Sequence, residues 1–233
     1  MPAATIGFFS SSTNANWMRP DASDEWTRLY ASNPATWSQQ PTPLFYFMLE
    51  QLGDRARGLS VLEAGCGYGR DALALADHGM QVLGVDVAGN AIAAAQGRAE
   101  QRKSPAEFAC LDLGEVEGTF DVVYAANLYQ VMDAETRSRF RRIVYGLLRP
   151  RGFFFLMSLS TSDPDDFGRG VPVPNEENTF RREKLLHFCT EEELRGDFGT
   201  FEIHALKERA YDEPHAGGAV HHHISWFLMA RKP

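Results

Sequence analysis

Short hydrophobic runs with β propensity alternate with longer helical patterns along most of the chain. Five runs are expected to be strands of one sheet: residues 59–62, 81–86, 106–110, 120–126 and 153–159. The last run is apolar without alternation, which is typical of a strand buried on both faces. Residues 134–148 repeat apolar side chains at helical spacing, so a helix capped by Asp133 should cover the sheet. The alternation of elements predicts an α/β fold.

The N-terminal part of the chain has a weaker pattern. Residues 1–22 have no period and are rich in Ser, Asn and Ala, so we expect them to form a mobile arm. A short helix is expected from Ser23 through Tyr30. A second helix is expected over residues 44–52, where Pro43 occupies a tolerated first-turn position. These two helices should form a small cap on the sheet.

The C-terminal part begins with a long segment that lacks a period. Residues 161–182 contain several prolines and glycines, and a loop of this length inside a compact domain is usually a lid or a binding loop. We interpret it as a substrate lid; the alternative is a solvated insertion. Thr190 with Glu193 predicts a capping box that opens a short helix. Residues 201–208 and 221–230 are expected to be strands, separated by a polar loop.

A glycine-rich loop joins the first strand to the next helix. After Glu63, glycines occupy positions 65, 67 and 69, and a helical pattern starts at Asp71. Glycines allow positive φ angles and let a ligand approach bare backbone. The start of the helix adds free N–H groups. The stretch therefore predicts a binding loop between a strand and a helix.

The spacing of this loop decides between two kinds of ligand. A dinucleotide fingerprint needs Gly-x-Gly-x-x-Gly, with the pyrophosphate on the helix start. Here the loop is one residue shorter, and the carboxylate of Glu63 suits a cationic ligand better than a pyrophosphate. Asp86 ends the second strand, where it can bind a ribose diol. A nicotinamide dehydrogenase is therefore disfavoured.

This arrangement resembles the class I S-adenosylmethionine-dependent methyltransferases, whose acid-x-Gly-x-Gly-x-Gly pattern is present from Glu63 to Gly69 and whose second acid is Asp86. The resemblance covers roughly residues 24–231. It implies a Rossmann-like, seven-stranded, mostly parallel sheet with an antiparallel last strand, helices on both faces and a small N-terminal helical cap. We expect a single domain over residues 1–233, divided into arm and cap (1–55), cofactor-binding core (56–160), substrate lid (161–190) and C-terminal helix and strand hairpin (191–233).

The resemblance also implies a set of residues that bind S-adenosylmethionine. The aromatic residues before the core, followed by Pro41-x-Pro43, resemble the cap of the thiopurine and tellurite-resistance branches, where such rings close over the methionine end and attract the sulfonium. The alternative is that these rings only pack the cap onto the core. Asp112 fits the position from which an acid accepts a hydrogen bond from adenine; the alternative is an ordinary turn residue. The predicted cofactor-binding residues are Trp26, Tyr30, Trp37, Glu63, Gly65, Cys66, Gly67, Gly69, Arg70, Asp86, Val87, Asp112, Leu113 and Asn127.

The implied reaction is transfer of a methyl group by in-line displacement at the sulfonium, which leaves S-adenosylhomocysteine. The sulfonium is already activated, so the protein mainly supplies proximity and alignment. A thiol or other soft acceptor needs no strong base. A hydroxyl or amine acceptor needs one, and His187 is the first candidate, followed by His222 and Tyr129.

The function predicted from these observations is methyl transfer to a small-molecule acceptor, with a thiol or other soft nucleophile as the first choice. One alternative is an oxygen- or nitrogen-directed methyltransferase of a natural product. An alternative from another class is a protein that binds S-adenosylmethionine without catalysis, although the long acidic lid suits a substrate pocket better.

Composition limits the partners of the chain. Its 233 residues carry a net charge of −8, whereas a duplex-binding surface is normally basic, so nucleic acid is not expected as a partner. No run of eighteen apolar residues occurs, so no membrane span is expected. The three cysteines, at 66, 110 and 189, are dispersed, which favours reduced thiols in the cytoplasm. The His221–His223 triplet lacks zinc spacing, and no metal site is predicted. The oligomeric state is not indicated.

Overall fold

The computed structural model describes residues 22–32, 40–214 and 220–233. The helices within these ranges are α1 (Ala22–Ser32), α2 (Pro43–Leu52), α3 (Arg70–Asp77), α4 (Gly89–Arg102), α5 (Ala134–Leu147) and α6 (Glu191–Asp197). The strands are β1 (Ser60–Ala64), β2 (Gln81–Asp86), β3 (Glu107–Cys110), β4 (Phe120–Ala126), β5 (Leu148–Leu159), β6 (Val171–Pro172), β7 (Thr179–Arg181), β8 (Leu185–His187), β9 (Glu202–Pro214) and β10 (Val220–Arg231).

Seven of the strands form one sheet in the order β3-β2-β1-β4-β5-β10-β9. The first five run parallel to one another, and β10 pairs antiparallel with both β5 and β9. The predicted seven-stranded, mostly parallel sheet with a reversed last strand is therefore confirmed. Because β1 is the middle one of the five parallel strands, the glycine loop that follows it opens at the middle of their carboxyl edge.

Strand alternation divides the apolar side chains of the sheet between two cores. Leu62, Val123 and Phe154 point to the face covered by α5 and α6. Their chain neighbours, among them Val61, Tyr124 and Phe155, point to the face covered by α2 and α3. All six side chains are fully buried, as expected of strands with helices on both sides.

The ends of several elements differ from the sequence prediction. Strand β5 already begins at Leu148, so Pro150 lies within it, because pairing with β4 continues past the residue that ends α5. Strand β9 continues to Pro214, through part of the predicted loop, because it pairs with β10 over its whole length.

The predicted lid contains more structure than its sequence suggested. Strands β6, β7 and β8 form a separate antiparallel sheet of three strands. Each strand has two or three residues, which are too few to show an alternating period in the sequence. The segment is therefore a small folded unit rather than the structureless loop that was expected.

The described α-helices are seven to fourteen residues long. Within the described ranges, none has the length and apolar character that a transmembrane segment needs.

Candidate active site

The glycine loop makes a tight turn between β1 and α3. Gly65, Gly67 and Gly69 have φ angles of +68°, +52° and +75°, a region that favours glycine. A Cβ atom at Gly65 would lie 2.8 Å from Cδ1 of Leu128, and one at Gly67 would lie 2.6 Å from the hydroxyl of Tyr30. Glycine is therefore required here both by the backbone angles and by close neighbours.

Asp86, at the end of β2, fastens this loop. One carboxylate oxygen accepts a hydrogen bond from the Gly67 N–H and the other accepts one from the Ala88 N–H, both at 2.9 Å. Burial raises the pKa of Asp86, and the backbone N–H groups that it accepts from partly oppose this shift. The carboxylate therefore connects the ends of two neighbouring strands at the mouth of a cavity.

That cavity has a volume of about 410 Å³ and extends from the glycine loop to the lid. Eleven of the fourteen predicted cofactor-binding residues line it: Trp26, Tyr30, Glu63, Gly65, Cys66, Gly67, Arg70, Asp86, Val87, Leu113 and Asn127. They come from α1, from the ends of β1, β2 and β4, from the glycine loop with the first residue of α3, and from the turn after β3. The topology therefore gathers residues from distant parts of the chain at one edge of the sheet.

Two buried oxygen atoms in the cavity lining have no hydrogen-bond donor among the described residues. They are Oε2 of Glu63 and Oδ1 of Asn127. Burial and then the charge of Asp71 raise the pKa of Glu63 well above its usual range. Asn127 also has a φ angle of +57°, which turns the chain sharply after β4. Buried acceptors of this kind are normally hydrogen-bonded, so the pair suits a ligand that carries donors.

Aromatic residues of α1 close one side of the cavity. The ring centroids of Trp26 and Tyr30 are 6.0 Å apart, and those of Tyr30 and Tyr68 are 5.0 Å apart. The hydroxyl of Ser23 donates a hydrogen bond of 2.9 Å to the Val87 carbonyl, which holds α1 against the end of β2. Trp37, the third predicted ring, lies outside the described residues.

Two predicted cofactor residues lie outside the cavity lining. Gly69 forms the N-cap of α3, and a Cβ atom there would lie 2.7 Å from the Phe108 ring. Asp112 accepts a hydrogen bond of 2.9 Å from the Gly114 N–H and caps a short 3-10 turn. Gly69 therefore has a packing role in the structure, and the predicted contact of Asp112 with adenine stays a prediction.

The three residues predicted as bases are not among the residues that line the cavity, and their role as bases stays a prediction. Both ring nitrogens of buried His187 are hydrogen-bonded, at 2.8 Å to the Thr179 hydroxyl and at 2.8 Å to the Glu193 carboxylate. His222 is exposed and lies 2.7 Å from Asp212. Strand alternation turns His222 to the face opposite its two neighbours.

Tyr129 is turned into the protein core. Its ring packs between Phe140 and Phe198, and its hydroxyl donates to Asp197 and accepts from Arg141. Burial, together with Asp197, raises the pKa of Tyr129. The sharp turn at Asn127 redirects the chain after β4, so that Tyr129 lies close to the end of the strand while its side chain is buried in the core.

The lid and the last two strands line the other half of the cavity, which we call the lid half. It comprises Asp166, Arg182, Glu183, Lys184, Leu186, Tyr211, Glu213, His221 and His223. Arg70 of the cofactor side forms an ion pair of 3.0 Å with Glu213 across the junction. The prediction named none of these nine residues as site residues. The alternation of the His triplet was a signal for two of them, because it puts His221 and His223 on one face.

An ion pair fastens the start of the lid to β10. His223 Nδ1 lies 3.0 Å from Asp163 Oδ2, which also accepts a hydrogen bond from the Ile224 N–H. Burial alone would lower the pKa of His223, but Asp163, and further away Glu213 and Asp166, raise it overall. Burial alone would raise the pKa of Asp163, but hydrogen bonds from His223 and backbone N–H groups lower it overall.

We expect this fastening to depend on pH. The stability that His223 contributes through this ion pair is fully present below its unfolded pKa of about 6.5. It is lost as pH rises through the raised pKa of His223 in the folded protein. The contribution of Asp163 is complete above about 3.9 and is lost as pH falls through the lowered folded value. Hydrogen-exchange protection of residues 161–166 should therefore fall when pH rises past the His223 pKa. In His223→Gln this upper transition should disappear, and a wild-type protection factor that stays constant there would contradict the prediction.

Three comparisons identify related proteins. A family model described as a methyltransferase domain matches residues 61–152. A protein named as a methyltransferase from Geobacillus sp. (strain WCH70) is 34% identical over 170 residues, which are 67% of this chain and 68% of the relative. A 2-heptyl-1-hydroxyquinolin-4(1H)-one methyltransferase from Mycobacteroides abscessus is 28% identical over 152 residues, which are 63% and 66% of the two chains. The alignments thus span about two thirds of each relative.

A solved structure shares the whole fold. It is the 1,6-didemethyltoxoflavin-N1-methyltransferase of Burkholderia thailandensis, which contains its substrate and S-adenosylhomocysteine. The TM-score is 0.64 at 18% identity, and the match covers 94% of this chain and 93% of the other. The glycine loop, the acid after β2 and the reversed last strand are thus accompanied by matches in both sequence and fold, and the chain belongs to the class I S-adenosylmethionine-dependent methyltransferases.

Proposed function

We propose that this enzyme transfers the methyl group of S-adenosylmethionine to a small-molecule acceptor that binds in the lid half of the cavity. The observation that carries the proposal is the continuity of the cavity. One space of about 410 Å³ runs from the glycine loop to the lid, so a cofactor at the loop and a small acceptor under the lid would be neighbours. Proximity and alignment are the main requirements of methyl transfer from an activated sulfonium.

The residues around the glycine loop fit the cofactor. When bound, it supplies a methyl group already activated on a sulfonium. Asp86 at the end of β2 would bind the ribose hydroxyls, while Glu63 and Asn127 would accept hydrogen bonds from the amino group, since each has a buried oxygen without a donor in the described chain. Trp26 and Tyr30 would face the methionine end, where an aromatic ring attracts a cation.

The lid half of the cavity is lined by ionisable side chains, which favours an oxygen or nitrogen acceptor. Its lining includes Arg182, Lys184, Glu213 and His223. Charged and polar groups of this kind fix the orientation of a polar small molecule. The Mycobacteroides relative is named for a hydroxyquinolinone and the Burkholderia neighbour for an N1-methylation, and both are small-molecule reactions.

A thiol or other soft acceptor is the second candidate. The observation in its favour is that His187 and Tyr129 are engaged in hydrogen bonds inside the protein and are turned away from the cavity. A thiolate needs no base at the moment of transfer. The dispersed free cysteines support a reducing compartment, and we propose the cytoplasm as the location.

The test uses the full chain in two steps. Calorimetry should detect binding of S-adenosylhomocysteine and no binding of NAD. The protein is then incubated with methyl-labelled S-adenosylmethionine and panels of small phenols, carboxylic acids, heteroaromatic amines and thiols, and labelled products are identified by mass spectrometry. Label in an oxygen or nitrogen acceptor supports the first candidate and label in a thiol supports the second. Binding of NAD without binding of S-adenosylhomocysteine would contradict the proposal.

A further inference from the structure

We propose that Lys184 determines acceptor specificity by binding the acceptor as an oxyanion, so that the substrates are small molecules with an acidic hydroxyl or carboxyl group. The inference rests on the proposed function and narrows it. In this proposal Lys184 of the lid recognises the charge of the acceptor rather than its shape.

The first observation is the position of the amine. Lys184 lies in the turn between β7 and β8 of the lid, and its partly buried side chain lines the cavity. Within the described chain, its amine takes part in no hydrogen bond and no ion pair. A lysine in a cavity usually has a carboxylate partner, because an unpaired buried charge is costly.

The carboxylates around Lys184 are engaged elsewhere. Asp166 lies 3.4 Å from the Arg182 guanidinium, and Glu213 lies 3.0 Å from the Arg70 guanidinium. Glu183 is the third carboxylate close enough to influence Lys184, and its side chain is exposed. The amine therefore has negative charges nearby but no direct partner in the described structure, and an anionic ligand would supply one.

The protonation of Lys184 is consistent with this arrangement. Burial lowers the pKa of Lys184, and the charges of Asp166, Glu213 and Glu183 only partly oppose the shift. An oxyanion beside the amine would stabilise the ammonium form, because an opposite charge nearby favours the charged state. Binding of an acid would therefore raise the pKa of the amine again.

The charged groups of the lid half differ in whether they have a partner. Arg182 is paired with Asp166, His223 is paired with Asp163, and Glu213 is paired with Arg70 of the cofactor side. The ring centroid of His221 lies 5.8 Å from that of His223. Lys184 therefore differs from Arg182 in lacking a carboxylate partner in the described structure, and the sulfonium of the cofactor would add a further positive charge beside an anionic acceptor.

The transfer step then balances without a protein base. The acceptor loses its proton to water and binds as the oxyanion, which explains why no predicted base faces the cavity. An oxygen lone pair forms the new bond to the methyl carbon, the carbon–sulfur bond breaks, and its electron pair stays on the sulfur of S-adenosylhomocysteine. The ether or ester product is neutral, so it loses its ion pair with Lys184, which favours release.

The test measures equilibrium binding to the full chain saturated with S-adenosylhomocysteine, whose sulfur carries no charge. The probes are two matched pairs, 4-nitrophenol with 4-nitroanisole, and benzoate with methyl benzoate. The wild type should bind the acid of at least one pair about tenfold to hundredfold more tightly than its neutral partner. The absorbance of bound 4-nitrophenol should show ionisation at lower pH than in free solution.

Lys184→Met should abolish the preference for the acid and the shift in ionisation, while Lys184→Arg should retain most of both. Lys207→Met is the matched control, because Lys207 pairs with Glu50 outside the cavity lining and its loss should change neither. Equal affinities within both pairs for the wild type, or an undiminished preference in Lys184→Met, would overturn the inference while leaving the proposed function intact. Failure of the wild type to bind S-adenosylhomocysteine would instead overturn the proposed function.

Discussion

Replacement of Asp71 by alanine is expected to lower the free energy of unfolding by about 2–4 kcal/mol, because buried donors lose a charged acceptor. Asp71 is buried, and its two oxygens accept three hydrogen bonds. The donors are the Thr42 N–H and the Thr42 hydroxyl, each at 2.6 Å, and the Tyr124 hydroxyl at 2.9 Å. Removal of the carboxylate leaves the Thr42 N–H without this acceptor, and the hydroxyls of Thr42 and Tyr124, which lie 3.1 Å apart, keep only each other as partners. A buried donor without an acceptor lowers stability because it has lost its hydrogen bonds to water. Urea denaturation followed by circular dichroism measures the change.

The effect should be large because the network connects three elements. Thr42 is the N-cap of α2, Asp71 lies in the first turn of α3, and Tyr124 lies in β4. Tyr124→Phe is the matched control, since it removes one donor and leaves Asp71 bonded to Thr42, and it should cost about 1 kcal/mol. A loss in Asp71→Ala no greater than that in Tyr124→Phe would contradict the prediction.

Replacement of Asp86 by alanine is expected to weaken binding of S-adenosylhomocysteine by about 1–3 kcal/mol, as loss of charged hydrogen bonds does. Two causes act together. The variant lacks the carboxylate proposed to bind the ribose, and the Gly67 and Ala88 N–H groups lose their acceptor, so the glycine loop is held less firmly. Isothermal titration calorimetry measures the dissociation constant directly.

The control is Asp77→Ala. Asp77 is another aspartate, at the end of α3. Its side chain is exposed and pairs with Arg102 outside the cavity lining. Its replacement should leave the affinity for S-adenosylhomocysteine unchanged. An unchanged affinity in Asp86→Ala would show that the acid after β2 does not contribute to the cofactor site.

Local sequence determined the parts of the site that depend on consecutive residues. The glycine loop could be predicted because Gly65, Gly67 and Gly69 have backbone angles that few other residues adopt, and Asp86 because a polar residue ended an apolar run. Strand β2 and strand β4 begin and end at the predicted residues, since continuous apolar runs have clear limits.

The direction in which a side chain points could be predicted less well from the sequence. Tyr129 was predicted to lie at the ligand because it comes shortly after the carboxyl end of β4. The positive φ angle of Asn127 instead turns the Tyr129 side chain into the core. Thr190 caps α6 as predicted, but the Glu193 side chain contacts His187 rather than completing a capping box. Pairing of β8 with β7 buries His187 between Thr179 and Glu193. These orientations arise from pairing and packing with residues far along the chain, which no local pattern contains.

The sequence by itself determined the alternation of strands and helices, the binding loop and the second acid, because each is encoded by neighbouring residues and their backbone preferences. Only the tertiary structure decided the lid half of the cavity. Lys184, in a turn of the lid, is distant in sequence from Glu213 on β9 and His223 on β10, and the three residues have no shared motif. They meet because the reversed last strand and the small lid sheet fold over the same carboxyl edge. Their proximity is a consequence of chain topology, which is a property of the whole fold.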